Sequence, residues 1–224
     1  AINAGTLTVG TGGSGLALAG DVFVDAISTL AFDLADELTY NQSLSGTGTI
    51  TKAGPGTVTF GGSSPFTGTV VINGGSLVLA DNGGGGDLNA ADVIVNAGGT
   101  FQFGVNLAGN PDLPDTTYIT VNTGGQVIWE ESEQLGGVNL AGGSLDLKLG
   151  GFTAGGANPS RWNAGTLTGT GPAAQVLGGT SGIEKTGPET VTVSGNASIA
   201  VTGGLAIAEG MILHDAAANL GTSD

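Results

Sequence analysis

The sequence predicts an all-β solenoid, in which a short strand-and-turn unit repeats along a single domain spanning residues 1–224. Glycine supplies 45 of the 224 residues, against a usual share of roughly 7%. Short apolar stretches alternate with Gly, Thr, Asn and Ser, a mixture typical of short strands joined by tight turns. Almost nothing has helical periodicity, since the best window, Asp81–Ala91, contains four consecutive glycines.

The repeated unit consists of Asn or Ala, then one or two glycines, then an alternation of small and apolar residues. Between Gly75 and Gly165 its last glycine recurs at steps of 24, 26, 18 and 22 residues. These steps are too long for a hairpin meander and suit one turn of a parallel β-coil with loops of variable length. The copies are Ile2–Val9, Ile72–Leu79, Val95–Phe103, Val121–Trp129, Leu140–Leu147, Trp162–Thr168 and a degenerate Val201–Ile207.

Within each unit the turn glycines supply positive φ, and the alternation that follows sends every second side chain inward. At roughly 22 residues per coil the chain forms about ten coils, each of which buries its apolar face against its neighbours. The predicted inward column is Leu7/Val9, Leu77/Leu79, Phe101/Phe103, Val127/Trp129 and Leu145/Leu147. Further predicted strands are Val22–Val24, Leu30–Leu34, Thr57–Phe60, Thr69–Ile72, Val93–Val95, Tyr118–Val121, Val138–Leu140 and Thr190–Val193.

An ungapped internal duplication supports the same interpretation. Residues 46–60 match residues 179–193 at a constant offset of 133, which superposes Lys52 on Lys185 and Gly54-Pro55 on Gly187-Pro188. The block resembles the autotransporter-associated β-strand repeat, found in passenger regions of bacterial type V secreted proteins and in related large surface proteins. The resemblance covers Leu44–Ala80 nearly end to end. Val176–Leu213 is a weaker copy, in which Glu189 replaces a glycine and the Thr-Gly step after the spacer is lost.

The resemblance implies a right-handed parallel β-helix that is exported through the outer membrane and exposed at the cell surface. It does not imply an activity, because such repeats mostly form a stalk. The extracellular localisation and the role as an autotransporter passenger segment or filament subunit are therefore expectations drawn from this family.

Composition excludes several classes of function. The chain has 19 acidic and 4 basic residues and a formal net charge of −15, so it repels nucleic acid and anionic lipid. It contains no cysteine, which rules out disulfides, thiol catalysis and Cys-ligated metals. No apolar stretch of 18 residues could span a bilayer as a helix. Such a chain takes no nucleic-acid partner and carries no membrane-spanning segment.

Candidate site residues are few, and we predict no catalytic, cofactor-binding or metal-binding residue. His214 has no serine elbow to partner it. Glu131 and Glu133 could share one face near Trp129 and Trp162 for glycan cleavage, but the tryptophans suit the core better. The four bases Lys52, Lys148, Arg161 and Lys185 form no lyase site. The run 81–87 resembles a calcium-binding nonapeptide whose aspartate comes one residue early, and we favour a loop there.

Two classes of function remain open. The favoured one is a non-catalytic structural or adhesive surface module, and the alternative is a carbohydrate-binding or carbohydrate-cleaving β-helix of tailspike or lyase type. A groove lined by Glu131, Glu133, an aromatic side chain and a base would favour the alternative. Both ends lack polar caps, so we expect further coils from a longer polypeptide or a second subunit to stack there. Contact with host or matrix glycans is a further expectation.

Overall fold

The structure is a computed structural model that describes residues 1–13, 17–105, 113–172, 174–215 and 219–220. For residues 81–86, 105 and 219–220 only the backbone is described. The chain forms two compact units, Ala1–Pro114 and Asp115–Asp224. Each unit is built of parallel strands without a helix among the described residues. The two units together hold about nine turns of β-solenoid, close to the ten expected.

Three ladders of parallel strands make up the first unit. One ladder follows β1, β3, β6, β8 and β10, a second follows β4, β7, β9 and β11, and a third pairs β2 with β5. The strands are β1 Gly5–Gly13, β2 Val22–Val24, β3 Ser28–Leu34, β4 Leu38–Tyr40, β5 Leu44–Gly46, β6 Thr49–Ala53, β7 Thr57–Ser64, β8 Thr69–Ile72, β9 Gly75–Leu88, β10 Asp92–Val95 and β11 Gly99–Val105.

The second unit repeats this plan with long strands that contribute to two ladders. Its third ladder follows β14, β16, β18, β21 and β24. The strands are β12 Tyr118–Asn122, β13 Gln126–Trp129, β14 Glu133–Leu135, β15 Gly137–Leu147, β16 Phe152–Ala154, β17 Ser160–Gly169, β18 Gln175–Gly179, β19 Ile183–Lys185, β20 Thr190–Gly195, β21 Ala197–Val201, β22 Leu205–Ile207, β23 Met211–His214 and β24 Asn219–Leu220.

The strand register confirms that one coil has a variable length. Paired residues are 20 positions apart between β3 and β6, as in Thr29 with Thr49. The separation falls to 18 at Val127 and Leu145 and rises to 26 at Leu167 and Val193. The extra residues therefore lie in the turns. An insertion within a strand would shift its register and turn its inward side chains to the outer face.

The predicted inward column is confirmed with one exception. Residues 77, 79, 101, 103, 127, 129, 145 and 147 are fully buried, and Val9 is 8% exposed. Leu7 is 41% exposed, so its assignment to the core was wrong. Its partner Leu30 is buried because β3 has neighbours on both sides, whereas β1 pairs among the described strands with β3 alone. A solenoid strand is buried only when coils lie on both sides of it.

All eight further strands predicted from the sequence are confirmed within a residue or two of their bounds or as parts of longer strands. The window Asp81–Ala91 is not helical, because β9 continues through its glycines to Leu88. The third ladder of the second unit was not predicted from the sequence. Its strands are short, and in β16 and β18 exposed Thr153 and Val176 alternate with buried residues.

The second repeat copy has a different register from the one we predicted. Thr202 N–H donates to Gly179 O, as Thr67 N–H donates to Gly46 O, so the Thr-Gly step is retained and the prediction of its loss was wrong. Leu205 pairs with Ile183, as Val70 pairs with Ile50. The turn of this copy is therefore at Glu209-Gly210. The segment Val201–Ile207 comprises the end of β21, the turn at residues 202–204 and β22, which is the strand before Glu209-Gly210. The offset rises here from 133 to 135, because the spacer is two residues longer.

Candidate functional site

A groove of the second unit lies on the outer side of its third ladder. This groove has a volume of about 660 Å³ and runs across β14, β16 and β18. Exposed Leu149 and Val176 lie on its walls. Its lining residues are Ser132, Glu133, Gln134, Leu149, Gly150, Gly151, Phe152, Thr153, Ala174, Gln175, Val176 and Gly178.

The acidic cluster does not converge on this groove. Glu133 lines it, and its carboxylate accepts a hydrogen bond of 2.8 Å from the Gln134 N–H. Glu131 is not among the lining residues, although burial raises the pKa of its carboxyl. Glu130 is paired instead with Lys148 at 2.9 Å, and that hydrogen bond raises the pKa of the Lys148 ammonium. The groove thus contains one carboxylate, whereas glycoside hydrolysis by the usual mechanism needs two.

Three aromatic side chains near the acidic cluster and the groove belong to the core. Trp129 and Trp162 are fully buried, as predicted, and the Trp162 indole N–H donates to Val138 O at 3.1 Å. Trp129 packs against Phe152 with ring centroids 5.9 Å apart. Phe152 lines the groove but is only 1% exposed. These rings therefore present no flat face on which a sugar could stack.

None of the four bases lines the groove. Arg161 is 3.7 Å from Glu184 and largely exposed, as is the Lys148 side chain that pairs with Glu130. Exposed pairs of this kind contribute about 0–1 kcal/mol to stability. Lys52 and Lys185 are fully buried.

Each of the two buried lysines donates three hydrogen bonds to backbone carbonyl oxygens. Lys52 Nζ donates to Ala53 O, Gly54 O and Gly74 O at 2.7, 2.9 and 3.0 Å. Lys185 Nζ donates to Thr186 O, Gly187 O and Glu209 O at 3.1, 2.7 and 3.2 Å. Burial lowers the pKa of Lys52, and the Asp33 carboxylate opposes that shift.

Sequence reasoning assigned these lysines to structure but did not predict that they are buried. A usable signal was present, because each lysine follows a buried isoleucine by two positions. Ile50 and Lys52 lie on the same side of β6, and Ile183 and Lys185 lie on the same side of β19. Side chains two apart on a strand point the same way, so the strand pattern alone places both ammonium groups inside the coil.

The remaining candidates form no site among the described residues. His214 pairs with Val193 in the outermost ladder position of β23 and is partly exposed. Asp87 accepts a hydrogen bond of 3.2 Å from Ser63, while the side chains of residues 81–86, on which the calcium hypothesis depends, lie outside the described part. Within the described ranges no three His, Asp or Glu side chains are grouped to hold a metal ion. Nor does that part of the chain contain a helix long and apolar enough to cross a membrane.

Comparison with known proteins gives one match. Residues 50–79 match the family model described as passenger-associated-transport-repeat. The match lies within the predicted copy Leu44–Ala80 and covers strands β6, β7, β8 and the start of β9. Neither a curated protein nor a solved structure matches the chain. The repeat at residues 50–79, together with the parallel β-solenoid, fits an autotransporter passenger repeat protein.

Proposed function

We propose that the chain is a non-catalytic structural segment of a bacterial surface protein, exported as a passenger and exposed outside the cell. The observation that carries this proposal is the passenger repeat at residues 50–79, whose alternate side chains pack the solenoid core. A repeat that uses its side chains for packing supplies length and rigidity without a reaction. The outward side chains of its strands are then free to contact host or matrix surfaces.

Export can be tested by placing residues 1–224 between a secretion signal and a translocating barrel. We expect the segment to reach the surface of intact bacteria, where external protease trims the fusion but leaves the coils intact. The control is the same fusion with the destabilising substitution Gly75→Ala. If it reaches the surface but is degraded by the protease, the resistance of the wild-type segment reports folding and its surface exposure reports translocation. Retention of the wild-type segment in the periplasm, while an unrelated passenger of equal length is exported, would contradict the proposal.

We further propose that another β-coil stacks on β22 and β23. Leu205 and Ile207 are 40% and 54% exposed, whereas their ladder partners Ile183 and Lys185 are buried. Within the described part of the chain, β22 and β23 are each paired along one edge. Exposed apolar side chains beside an open strand edge form the surface on which a further parallel strand adds. The occupant in purified protein is a second copy of this chain, and in a longer polypeptide it is the following coil.

The stacking proposal predicts concentration-dependent association. In sedimentation velocity, wild-type protein is expected to associate as its concentration rises, and Ile207→Asp is expected to shift it to monomer. Ile27→Asp is the matched control, because Ile27 is 75% exposed and lies in a turn of the other unit. A wild-type chain that stays monomeric at millimolar concentration would refute end-to-end stacking.

A carbohydrate-active role is the second candidate, favoured by the groove that Glu133 lines. If the groove cleaves glycans, Glu133→Gln should abolish release of reducing sugar from the cleaved polysaccharide. Ser198→Ala on the neighbouring β21 should leave it unchanged. Under the favoured proposal, neither variant nor the wild type releases sugar from any polysaccharide of a broad panel.

A further inference from the structure

Lys52 and Lys185 occupy the same place in the two repeat copies. Each follows a buried isoleucine by two residues and precedes a Gly-Pro turn, 133 positions apart in the sequence. Both side chains are fully buried. A buried cation is tolerated only when its hydrogen-bonding capacity is met, so the surroundings of the two ammonium groups identify what balances them.

Each ammonium group is surrounded by three backbone carbonyl oxygens. Two belong to the turn that follows the lysine, Ala53 and Gly54 in the first copy and Thr186 and Gly187 in the second. The third belongs to the next coil, at Gly74 or Glu209. Three carbonyls match the three N–H donors of a lysine ammonium.

The second copy independently shows the same arrangement of three carbonyl oxygens around its lysine. Its spacer is two residues longer, so the third acceptor lies 24 residues after Lys185 but 22 after Lys52. Despite that difference the next coil offers its carbonyl at the same position of the turn. The residue after the acceptor is glycine in both copies, and a Cβ at Gly75 or Gly210 would lie 2.7 Å from the ammonium nitrogen.

We propose that the three carbonyl oxygens of each repeat form a cage, meaning a binding site for a primary ammonium ion. The repeat's own lysine side chain occupies this cage as a covalently attached ligand. Its ammonium group links each coil to the following one through hydrogen bonds. Carbonyl oxygens held by a rigid backbone are the ligands that replace the hydration shell of monovalent cations elsewhere in proteins. Gly54 and Gly187 adopt φ of +73° and +81°, which glycine tolerates without strain. Backbone hydrogen bonds to neighbouring coils, from Gly56 N–H to Leu34 O and from Thr186 N–H to Trp162 O, support these turns independently of the lysine side chains. The cage is therefore a binding site in its own right, and it does not depend on the proposed export.

The filled cage can be tested in the wild-type protein by NMR after uniform labelling with ¹³C and ¹⁵N. Two of the three lysine ammonium groups are expected to show slowly exchanging N–H protons and through-hydrogen-bond couplings to carbonyl carbons. Lys52→Met and Lys185→Met should each remove one of these signals, whereas Lys148→Met removes none. A coupling from Lys52 Nζ to the Gly74 carbonyl would establish the tie between coils. Fast exchange at all three lysines would overturn the proposal.

The emptied cage is tested by chemical rescue. Lys52→Ala removes the side chain beyond Cβ, and n-propylammonium is the matching free ligand. We expect a lower melting temperature for Lys52→Ala than for wild type, raised again by several degrees in n-propylammonium chloride. 1-Propanol and tetramethylammonium chloride at equal ionic strength should have no such effect, because one lacks the charge and the other lacks N–H donors.

Equal responses of Lys52→Ala and wild type to n-propylammonium would refute a free-standing cation site. Lys148→Ala serves as the control, since that lysine is exposed and pairs only with Glu130 in the described structure. If Lys52→Ala fails to fold, the ammonium exchange of the wild-type protein still decides whether the cage is filled.

Discussion

Gly75→Ala is expected to lower the free energy of unfolding by about 3–4 kcal/mol, because the added methyl group meets both a strained backbone conformation and the buried ammonium group of Lys52. Gly75 has φ of +61°, where a Cβ costs roughly 1–2 kcal/mol. That Cβ would also lie 2.5 Å from Gly54 O and 2.7 Å from Lys52 Nζ. Displacing the ammonium from its carbonyls adds about 1–3 kcal/mol. Urea denaturation followed by circular dichroism measures the change.

The preceding glycine is the control. Gly74→Ala places a Cβ no closer than 3.4 Å to any neighbouring atom, and Gly74 does not have a positive φ. We expect a change below about 1 kcal/mol for Gly74→Ala. Equal effects of the two substitutions would show that the turn does not have the described geometry.

Phe60→Ala is expected to destabilise the first unit by about 4 kcal/mol through loss of apolar burial and the cavity left behind. Phe60 is 1% exposed and contacts Phe32 and Tyr40 edge-on, with ring centroids 5.8 and 6.3 Å apart. Because these rings come from three different strands, the cavity would open between coils that cannot close independently. Loss of stability is measured by the same urea denaturation.

Phe23→Ala is the matched control, because Phe23 is 44% exposed and lies on the outer face of β2. Its truncation should cost less than about 1 kcal/mol. A similar loss of stability at Phe23 and Phe60 would mean that the alternation of inward and outward side chains is not the one described.

Alternation and glycine spacing together predicted most of the fold, since both act over a few residues. Leu77 and Leu79 could be placed inside the coil from the sequence because their side chains obey the two-residue period of a strand. Leu7 obeys the same period but is exposed. Its burial depends on a coil on both sides of β1, and no local pattern carries that information.

The register of the second copy could not be predicted, because two extra residues lie in its spacer. An ungapped offset of 133 holds through Val193, after which the structural partner of Thr67 is Thr202. Turns absorb such insertions at little cost. Sequence similarity alone therefore placed the last turn of this copy at Gly203-Gly204. The strand pairing places that turn at Glu209-Gly210.

Candidate sites were harder to predict than strands, because they join residues from different coils. The groove brings Glu133 next to Phe152 and Gln175, which are 19 and 42 positions away in the sequence. The lysine cages likewise depend on an acceptor in the following coil. Spacing within one coil indicated which side chains point inward, but it did not indicate which residues of neighbouring coils they contact.

The central claim, that successive coils pair in parallel one coil length apart, can be tested directly because the chain contains no cysteine. Thr49 pairs with Thr69 and Thr51 with Val71 across β6 and β8. Neighbouring strands lie about 4.8 Å apart, within reach of a disulfide. Under mild oxidation, the cysteine pairs at 49/69 and 51/71 are both expected to cross-link within the molecule, while the crossed pairs 49/71 and 51/69 stay reduced. Cross-linking of the crossed pairs instead would indicate antiparallel strands and contradict the solenoid.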